Sequence, residues 1–289
     1  MNFLVNSDCG DVIYLLPMIK AMGGGNILFA KHSREDATTP WDVRFDLLRD
    51  LLVQQSYVSV VKYHEGEKID WPVDEAKSNC QSREEQVFIP YGKLMLKNHD
   101  LDVSVFEEPW LEVDGGTHEF DVVVNRTGRY ITTHNHMQEL ITPFNNTKGV
   151  FVGVQQEWEL FCQTVAPIPF LKTDNLLALA EVINDAKIFI GNQSCALAIA
   201  EGLKKTVIQE TCRWCPNCCF NREDFYSFHD TGNYRMIGTS TPIDDFFGMD
   251  EEEVEDPITV NITNTPHGLY PYKRLANHCL LYTSPSPRD

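Results

Sequence analysis

Residues 187–210 read KIFIGNQSCALAIAEGLKKTVIQE, a run that predicts a strand, a glycine-led turn, a helix and a second strand. Residues 188–190 are apolar, as a buried strand requires, and Gly191 permits a sharp exit from that strand. Asn192 or Ser194 can cap the helix that follows. We therefore expect the first N–H groups of this helix at the carboxyl end of a parallel strand, where phosphates and nucleotides commonly bind.

Alternating strands and helices surround this segment. The N-terminal part predicts strands at residues 2–5, 26–30 and 58–63, with helices at residues 12–22 and 41–53. A second series predicts strands at residues 120–124, 149–153 and 168–171, with helices at residues 137–144, 157–164 and 175–186. Strands that alternate with helices indicate parallel sheets with helices on their faces, so we predict an α/β protein with two Rossmann-like halves.

The division between the halves is predicted from a change in composition. Three prolines and mixed polarity weaken the pattern between residues 65 and 116, and Asp114-Gly115-Gly116-Thr117 is typical of a loop. We predict domains at residues 1–116 and 117–278. Residues 279–289 resemble the translation of a sequencing adapter, so we expect them not to belong to the natural protein.

Charge and composition narrow the classes of partner. The chain has 289 residues, of which 43% are hydrophobic, as in a globular protein. It carries 24 basic and 42 acidic residues and a net charge of −18. Such a charge argues against a general nucleic-acid or anionic-membrane surface, so a small molecule or a polysaccharide is the expected partner.

The chain also shows no targeting or membrane-spanning segment. Asp8 and Asp11 interrupt the apolar N-terminal stretch, and no basic region precedes it. No window approaches the length of a transmembrane helix. We therefore expect a cytoplasmic protein with reduced cysteines.

Asp11 is the candidate catalytic residue. It lies in the first turn of a predicted helix, at the carboxyl end of the first strand. One interpretation is that the carboxylate interacts with the helix dipole and stabilises the helix by about 0.3–1 kcal/mol. The other is a general base, because the preceding Ser7-Asp8-Cys9-Gly10 turn has small residues that bring the backbone close to a ligand.

Two motifs resemble the heptosyltransferase family. The run Gly10-Asp11-Val12, followed by Leu16-Pro17, resembles the family's N-terminal motif of Gly-Asp-Val and then Leu-Pro. Residues 176–194 resemble its nucleotide-sugar half, with a helix of the form Leu-Ala-x-x-Ile-x-x-Ala, an apolar strand ending in glycine and a short polar turn. The two motifs occur in the order that the family shows.

This resemblance implies a glycosyltransferase of GT-B architecture, with two Rossmann domains that face each other across a cleft. It implies an inverting reaction without a required metal or other cofactor, in which Asp11 acts as base on the acceptor hydroxyl. The partners would be a nucleotide-sugar donor and a carbohydrate acceptor. The predicted donor-binding residues are Gly10, Arg126, Gly191, Asn192, Gln193 and Ser194.

The donor turn departs from the family pattern. The family's turn usually reads Gly-x-Asp-Thr/Ser-Gly, with a histidine farther into the helix. This chain has Gln193 for the aspartate, Cys195 for the glycine and Ala198 for the histidine, while Ser194 keeps the hydroxyl. The donor therefore need not be a heptose.

Two arginines follow the first strand of the second half. A guanidinium at the carboxyl end of a strand can pair bidentately with a pyrophosphate. Arg126 is the first candidate for that contact and Arg129 the second, although arginines are also common on protein surfaces.

Other polar clusters are open to two interpretations. Cys212, Cys215, Cys218 and Cys219 have a spacing seen in metal ligation, but four-cysteine sites normally come as two separated pairs, so a loop of reduced thiols is favoured. The sequence His134-Asn135-His136 has no third ligand nearby, and Asp244-Asp245 is typical of a helix cap or a loop. We predict no metal site.

Two other functions stay open at this level. The first alternative is a protein that kept this fold, lost the chemistry of the donor site, and binds a nucleotide or sugar without catalysis. The second is a metal-stabilised interaction protein, in which the cluster from Cys212 to Cys219 binds zinc or iron.

Overall fold

The computed structural model describes residues 1–32, 39–72, 91–131, 136–144, 147–211, 218–220 and 222–228. The predictions for residues 279–289, His134, Asp244, Asp245, Cys212 and Cys215 lie outside these ranges, as does the side chain of His136.

The N-terminal part of the chain builds the first sheet. Its elements are β1 (Asn2–Val5), α1 (Cys9–Ala21), β2 (Gly25–Phe29), α2 (Trp41–Val53), β3 (Val58–Tyr63) and β4 (Trp71–Pro72). The described strands are parallel and lie in the order β3-β2-β1-β4. The strands and helices predicted from hydrophobic periodicity are confirmed here, but β4 was not predicted.

The second sheet is larger. Its strands are β5 (Val122–Asn125), β6 (Gly149–Val152), β7 (Phe170–Leu171), β8 (Ile188–Asn192), β9 (Thr206–Glu210) and β10 (Phe225–Phe228). All described pairs are parallel, in the order β10-β9-β8-β5-β6-β7. The prediction of an α/β protein with parallel sheets is confirmed.

Helices cover both sheets. A short helix α3 (Tyr91–Asn98) and a 3-10 turn (Val103–Phe106) lie in the segment between the sheets. The second half adds α4 (His136–Ile141), a 3-10 turn (Thr142–Phe144), α5 (Gln155–Thr164), α6 (Leu176–Asp185) and α7 (Cys195–Gly202). Neither α3 nor β10 was predicted, because the surrounding sequence mixes prolines with polar residues.

Helix α1 is buried on nearly all sides. Its residues from Val12 to Ile19 are almost inaccessible to solvent, including Pro17. A helix that is apolar all round must pack against protein on every face. Accordingly α1 contacts α3 and α7 as well as the first sheet.

One apolar core joins the two sheets. It includes Phe3 of the first sheet, Ile13 of α1, and Val123 and Phe189 of the second sheet. A smaller core on the other face of the second sheet contains Val124, Phe151 and Phe161, among others. The N- and C-terminal halves therefore share buried surface.

Residues 103–112 connect the halves. The backbone N–H groups of Trp110 and Leu111 donate to the carbonyl of Gly202 at the end of α7. Tyr57, at the start of β3, donates its hydroxyl to the carbonyl of Trp110 at 2.6 Å. A side chain at position 202 would meet Leu111 within 2.7 Å, so the glycine allows this close approach.

Within the described ranges, none of the helices combines the length and apolarity needed to cross a bilayer.

The glycines after α1 generate a stability prediction. Gly23 and Gly24 both have positive φ, at 86° and 82°. A Cβ at Gly24 would lie 2.1 Å from the carbonyl oxygen of Tyr57, whereas a Cβ at Gly23 would meet nothing within 4 Å. We expect Gly24→Ala to lower the free energy of unfolding by about 1–3 kcal/mol more than Gly23→Ala, since only the former adds a backbone overlap. Urea denaturation of both variants measures the difference, and equal losses would contradict it.

Candidate functional site

The carboxyl edge of the first sheet reverses its strand order at β1. The chain moves from β1 to β2 and β3 on one side, while β4 pairs on the other side. In α/β sheets, ligands bind in the crevice at such a switch point. The turn at Asn6–Asp8 and the first turn of α1, with Gly10 and Asp11, lie at this position.

Arg44 holds this turn in place. Its guanidinium, on α2, is 2% exposed and donates to the carbonyls of Asn6 at 2.6 Å and Ser7 at 2.7 Å. A buried guanidinium costs free energy unless its donors are satisfied, so these carbonyls and the arginine fix each other. The sequence analysis missed Arg44, because a single arginine on an amphipathic helix gives no signal.

The second sheet has its own switch point between β5 and β8. Strands β6 and β7 extend on one side of β5, and β9 and β10 on the other side of β8. The predicted turn from Gly191 to Ser194 follows β8, and Arg126 follows β5. The structure therefore brings the two predicted donor segments to one edge.

Asn192 connects these two segments. It is fully buried, its Oδ1 accepts from the Thr127 N–H at 2.9 Å, and its Nδ2 donates to the Thr127 carbonyl at 2.9 Å and the Arg129 carbonyl at 2.5 Å. The side chain thus positions the loop after β5.

Asn125 acts in the same way on the neighbouring strand. It is buried and its Nδ2 donates to the Val152 carbonyl at 2.8 Å. Gly153 follows with φ of 132°, and a Cβ there would lie 2.7 Å from that Nδ2. The last residues of β5 and β8 are therefore both asparagines that lock adjacent loops.

Arg126 is held by a buried carboxylate. Its Nε and one Nη donate to the two oxygens of Glu210 at 2.6 and 2.7 Å, with side chains 12% and 0% exposed. This bidentate pair bridges the ends of β5 and β9. The predicted contact of Arg126 with a pyrophosphate stays a prediction, but the guanidinium already has an anionic partner.

The structure explains why a glycine occupies position 191 and a serine occupies position 194. A Cβ at Gly191 would lie 2.5 Å from the carbonyl oxygen of Asn125, so glycine permits the close pairing of β8 with β5. The Ser194 hydroxyl accepts from the Leu197 N–H at 3.2 Å and caps α7. Gln193 lies between them and is partly exposed.

The first turns of α1 and α7, which lie at the two switch points, are close to each other. A Cβ at Gly10 would lie 3.5 Å from Cα of Cys195 and 3.8 Å from the carbonyl oxygen of Ser194. Position 10 is therefore in van der Waals contact with the first turn of α7. Both helix N-termini carry partial positive charge, so their approach favours an anionic ligand near them.

Charges from both halves act at this contact. Desolvation raises the pKa of Cys195 well above its ordinary value, and the Cys9 thiol and the carboxylates of Asp8 and Asp11 raise it further. The guanidinium of Arg129 lowers it. Side chains of the first half and Arg129 of the second half are therefore close enough to influence one thiol.

Glu157 is a titratable group that the sequence analysis missed. It lies in the first turn of α5, after β6. Desolvation by burial raises its pKa to about 7, against backbone hydrogen bonds from Val154 and Gly128 and the charge of Arg129. A carboxyl that titrates near neutrality at a sheet's carboxyl edge is a candidate functional group. The glycine and glutamate spacing in Gly153-x-x-x-Glu157 was its only sequence signal.

No cluster of three or more His, Cys, Asp or Glu side chains suited to a metal ion occurs among the described residues. Cys218 and Cys219 are buried, and Cys219 Sγ lies 3.3 Å from the Thr211 hydroxyl oxygen. Their predicted partners Cys212 and Cys215 belong to the ranges that the structure does not describe.

The chain was compared with known proteins. No protein-family model and no curated protein sequence matches it. It is similar to a solved glycosyl transferase family 9 structure from Veillonella parvula DSM 2008, with 11% identity, 97% of each chain covered and a TM-score of 0.45.

Two further similar structures come from E. coli. Heptosyltransferase WaaC with ADP-2-deoxy-2-fluoro heptose has 14% identity and a TM-score of 0.43, covering 72% of this chain and 88% of WaaC. The iron-containing dodecameric glycosyltransferase TibC of strain H10407 has 12% identity and a TM-score of 0.47, covering 81% of this chain and 63% of TibC. These similarities are too distant to assign a residue's role.

The raised pKa of Glu157 generates a prediction about pH. The folded pKa of about 7 exceeds the unfolded value of about 4.3, so the stability contributed by the protonated carboxyl is fully present below about pH 4 and is lost as the pH rises through 7. We expect the urea midpoint of the wild type, relative to that of Glu157→Gln, to fall as the pH rises from about 4 to about 8. Glu119→Gln, at an exposed carboxylate, serves as control. A difference that stays constant with pH would contradict the prediction.

The ion pair of Arg126 generates a second prediction. We expect Arg126→Leu to lower the free energy of unfolding by about 3–5 kcal/mol, because it removes the guanidinium that balances the buried Glu210 carboxylate. Arg129→Leu, at a partly exposed position on the same loop, should cost about 1 kcal/mol or less. Chemical denaturation of both variants tests this, and an equal cost would show that the buried pair is not structural.

Proposed function

We propose that the chain is a glycosyltransferase that moves a sugar from a nucleotide-sugar donor to a carbohydrate acceptor, with inversion and without a required metal. The observation that carries the proposal is the contact between Gly10 and the first turn of α7. It joins a carboxylate-bearing turn of one sheet to an anion-favouring helix start of the other.

The chemistry needs a base at this point. In an inverting transfer, the acceptor oxygen attacks the anomeric carbon, the bond from that carbon to the nucleotide's phosphate oxygen breaks, and the acceptor proton moves to a base. Asp11 is partly exposed in the first turn of α1, at the switch point of the first sheet. A carboxylate is a suitable side chain to accept that proton.

The leaving nucleotide needs positive charge. We propose that the N-terminus of α7 supplies part of it, with Gln193 and Ser194 beside the phosphate. Arg129 is the better candidate for the cation, because its charge acts on Cys195 at that helix start. Arg126 is the weaker one, since Glu210 already accepts two of its hydrogen bonds.

We further propose that the halves are GT-B-like domains. Residues 1–116 would form the acceptor side and residues 117–278 the nucleotide-sugar side. The topology supports this division, since each described sheet has its own switch point.

A second candidate is a non-catalytic nucleotide or sugar binder of the same fold. The pairing of Arg126 with Glu210 favours it, because this pair removes one cation from the donor side. The two candidates differ in turnover and need not differ in binding.

The role of Asp11 is tested by Asp11→Asn. A thermal-shift screen over nucleotide sugars first identifies a donor, because a ligand at about 100 times its dissociation constant stabilises by roughly 2.7 kcal/mol. Release of the nucleotide from that donor is then followed. We expect Asp11→Asn to lower kcat by about 10²- to 10⁴-fold, with little change in the donor KM, because a general base acts in the transition state.

The matched control is Glu119→Gln, which also neutralises one carboxylate but lies on the loop before β5 and is 85% exposed. Unchanged turnover in Asp11→Asn would exclude Asp11 as the base. Donor binding without turnover in the wild type would favour the non-catalytic binder. The anomeric configuration of the product, determined by NMR, tests inversion.

A further inference from the structure

Four aromatic side chains form a cluster at the carboxyl edge of the first sheet. This edge cluster consists of Phe29, Trp41, Phe45 and Tyr63. Phe29 and Tyr63 are the last residues of β2 and β3 and are direct partners in the parallel register. Trp41 and Phe45 lie one turn apart at the start of α2. The cluster is therefore on the side of the sheet where ligands bind.

The four rings form a continuous series that extends from the core to the surface. Phe29 is 3% exposed and meets Phe45 edge-on at 5.3 Å between centroids. Phe45 stacks on Tyr63 at 4.1 Å, and Tyr63 meets Trp41 at 5.4 Å with planes at 77°. Trp41 and Tyr63 are half-buried. The inner rings thus hold the two outer rings rigidly while leaving part of their surface accessible.

Charged groups surround the outer rings. Burial raises the pKa of Tyr63, and the carboxylates of Asp46 and Asp42 raise it further, so both acids act on this ring. Lys31 Nζ lies 5.6 Å from the Tyr63 centroid and 3.8 Å from a Glu65 carboxylate oxygen. Among the described residues around the outer rings, three carboxylates and one ammonium give a negative balance.

The edge cluster is tied to the Asp11 turn. Val5 of β1 is the register partner of Phe29, so Tyr63 lies two strands, or about 10 Å, from the end of β1. Arg44 lies between Trp41 and Phe45 in the sequence and holds the carbonyls of Asn6 and Ser7. Arg44 therefore links the first turn of α2 to the turn that precedes α1.

We propose that Trp41 and Tyr63 form a subsite that binds an uncharged sugar ring of the acceptor. A pyranose has an apolar C–H face that packs on an aromatic ring and a rim of hydroxyls that donate to carboxylates, here those of Asp42 and Asp46. The negative rim repels phosphorylated or otherwise anionic glycans. As an acceptor site, this inference rests on the proposed glycosyl transfer.

A nucleobase is the alternative occupant, because bases also stack on aromatic rings. The location disfavours it. Most of the predicted donor-binding residues follow β5 and β8 of the second sheet, whereas the edge cluster lies on β2, β3 and α2 of the first, two strands away from the start of α1.

The test is saturation-transfer NMR on the full chain. The probes are methyl β-D-glucopyranoside, methyl β-D-galactopyranoside and methyl α-D-mannopyranoside, with glucose 6-phosphate and adenosine for comparison. We expect at least one methyl glycoside to receive saturation, and Trp41→Leu to weaken its binding by about tenfold, which corresponds to about 1.4 kcal/mol. Glucose 6-phosphate should bind more weakly than the matching glucoside.

The matched control is Trp71→Leu. Trp71 is a half-buried tryptophan on β4, at the opposite edge of the same described sheet. Its ring centroid lies 5.0 Å from that of His99. This variant should bind the glycoside like the wild type. If Trp41→Leu fails to fold, Trp41→Phe keeps a smaller ring, and a weaker binding than in the wild type is then expected.

The outcomes separate this inference from the proposed function. If glycoside binding depends on Trp41 but no donor is turned over, the result supports the subsite and contradicts the transferase function. Donor turnover with no glycoside binding, or with binding that Trp41→Leu leaves unchanged, overturns the subsite. Stronger binding of adenosine at Trp41 overturns it as well.

Discussion

The burial of helix α1 is the constraint on which the rest of the structure depends. The helix is apolar on nearly every face, so it must be covered by the first sheet and also by two helices from later parts of the chain, α3 and α7. Its contacts with α3 and α7 place the turn before it against the first turn of α7. The close approach at Gly10 is a consequence of this packing, and a Cβ there would lie 3.5 Å from Cα of Cys195, which is an ordinary van der Waals contact.

The polar groups along the carboxyl edges mostly satisfy one another. Asn125 and Asn192 end neighbouring strands and lock adjacent loops, and Arg126 neutralises the buried Glu210. Buried polar groups need such partners, so these contacts fix the loops at this edge. The groups that we propose act on a ligand are Asp11, at the start of α1, and Arg129, in the loop after β5, while Glu157 lies nearby in the first turn of α5.

Hydrophobic periodicity was sufficient for most strands and helices of the fold. The helix Trp41–Val53 and the strand Val58–Tyr63 have the predicted bounds, because each has a regular apolar pattern between clear ends. The pattern failed at β4, α3 and β10, which are short and lie among prolines and polar residues.

The sequence by itself determined the alternation of strands and helices and the two turns that carry Asp11 and Ser194, because these follow from local patterns of burial and capping. Only the tertiary structure decided what each side chain contacts. Arg126 pairs with Glu210, which is distant in sequence, Asn192 binds the loop after β5, and Arg44 fixes the turn before α1. Parallel pairing brings the ends of distant strands together, so contacts along one edge depend on strand order, which local sequence does not specify.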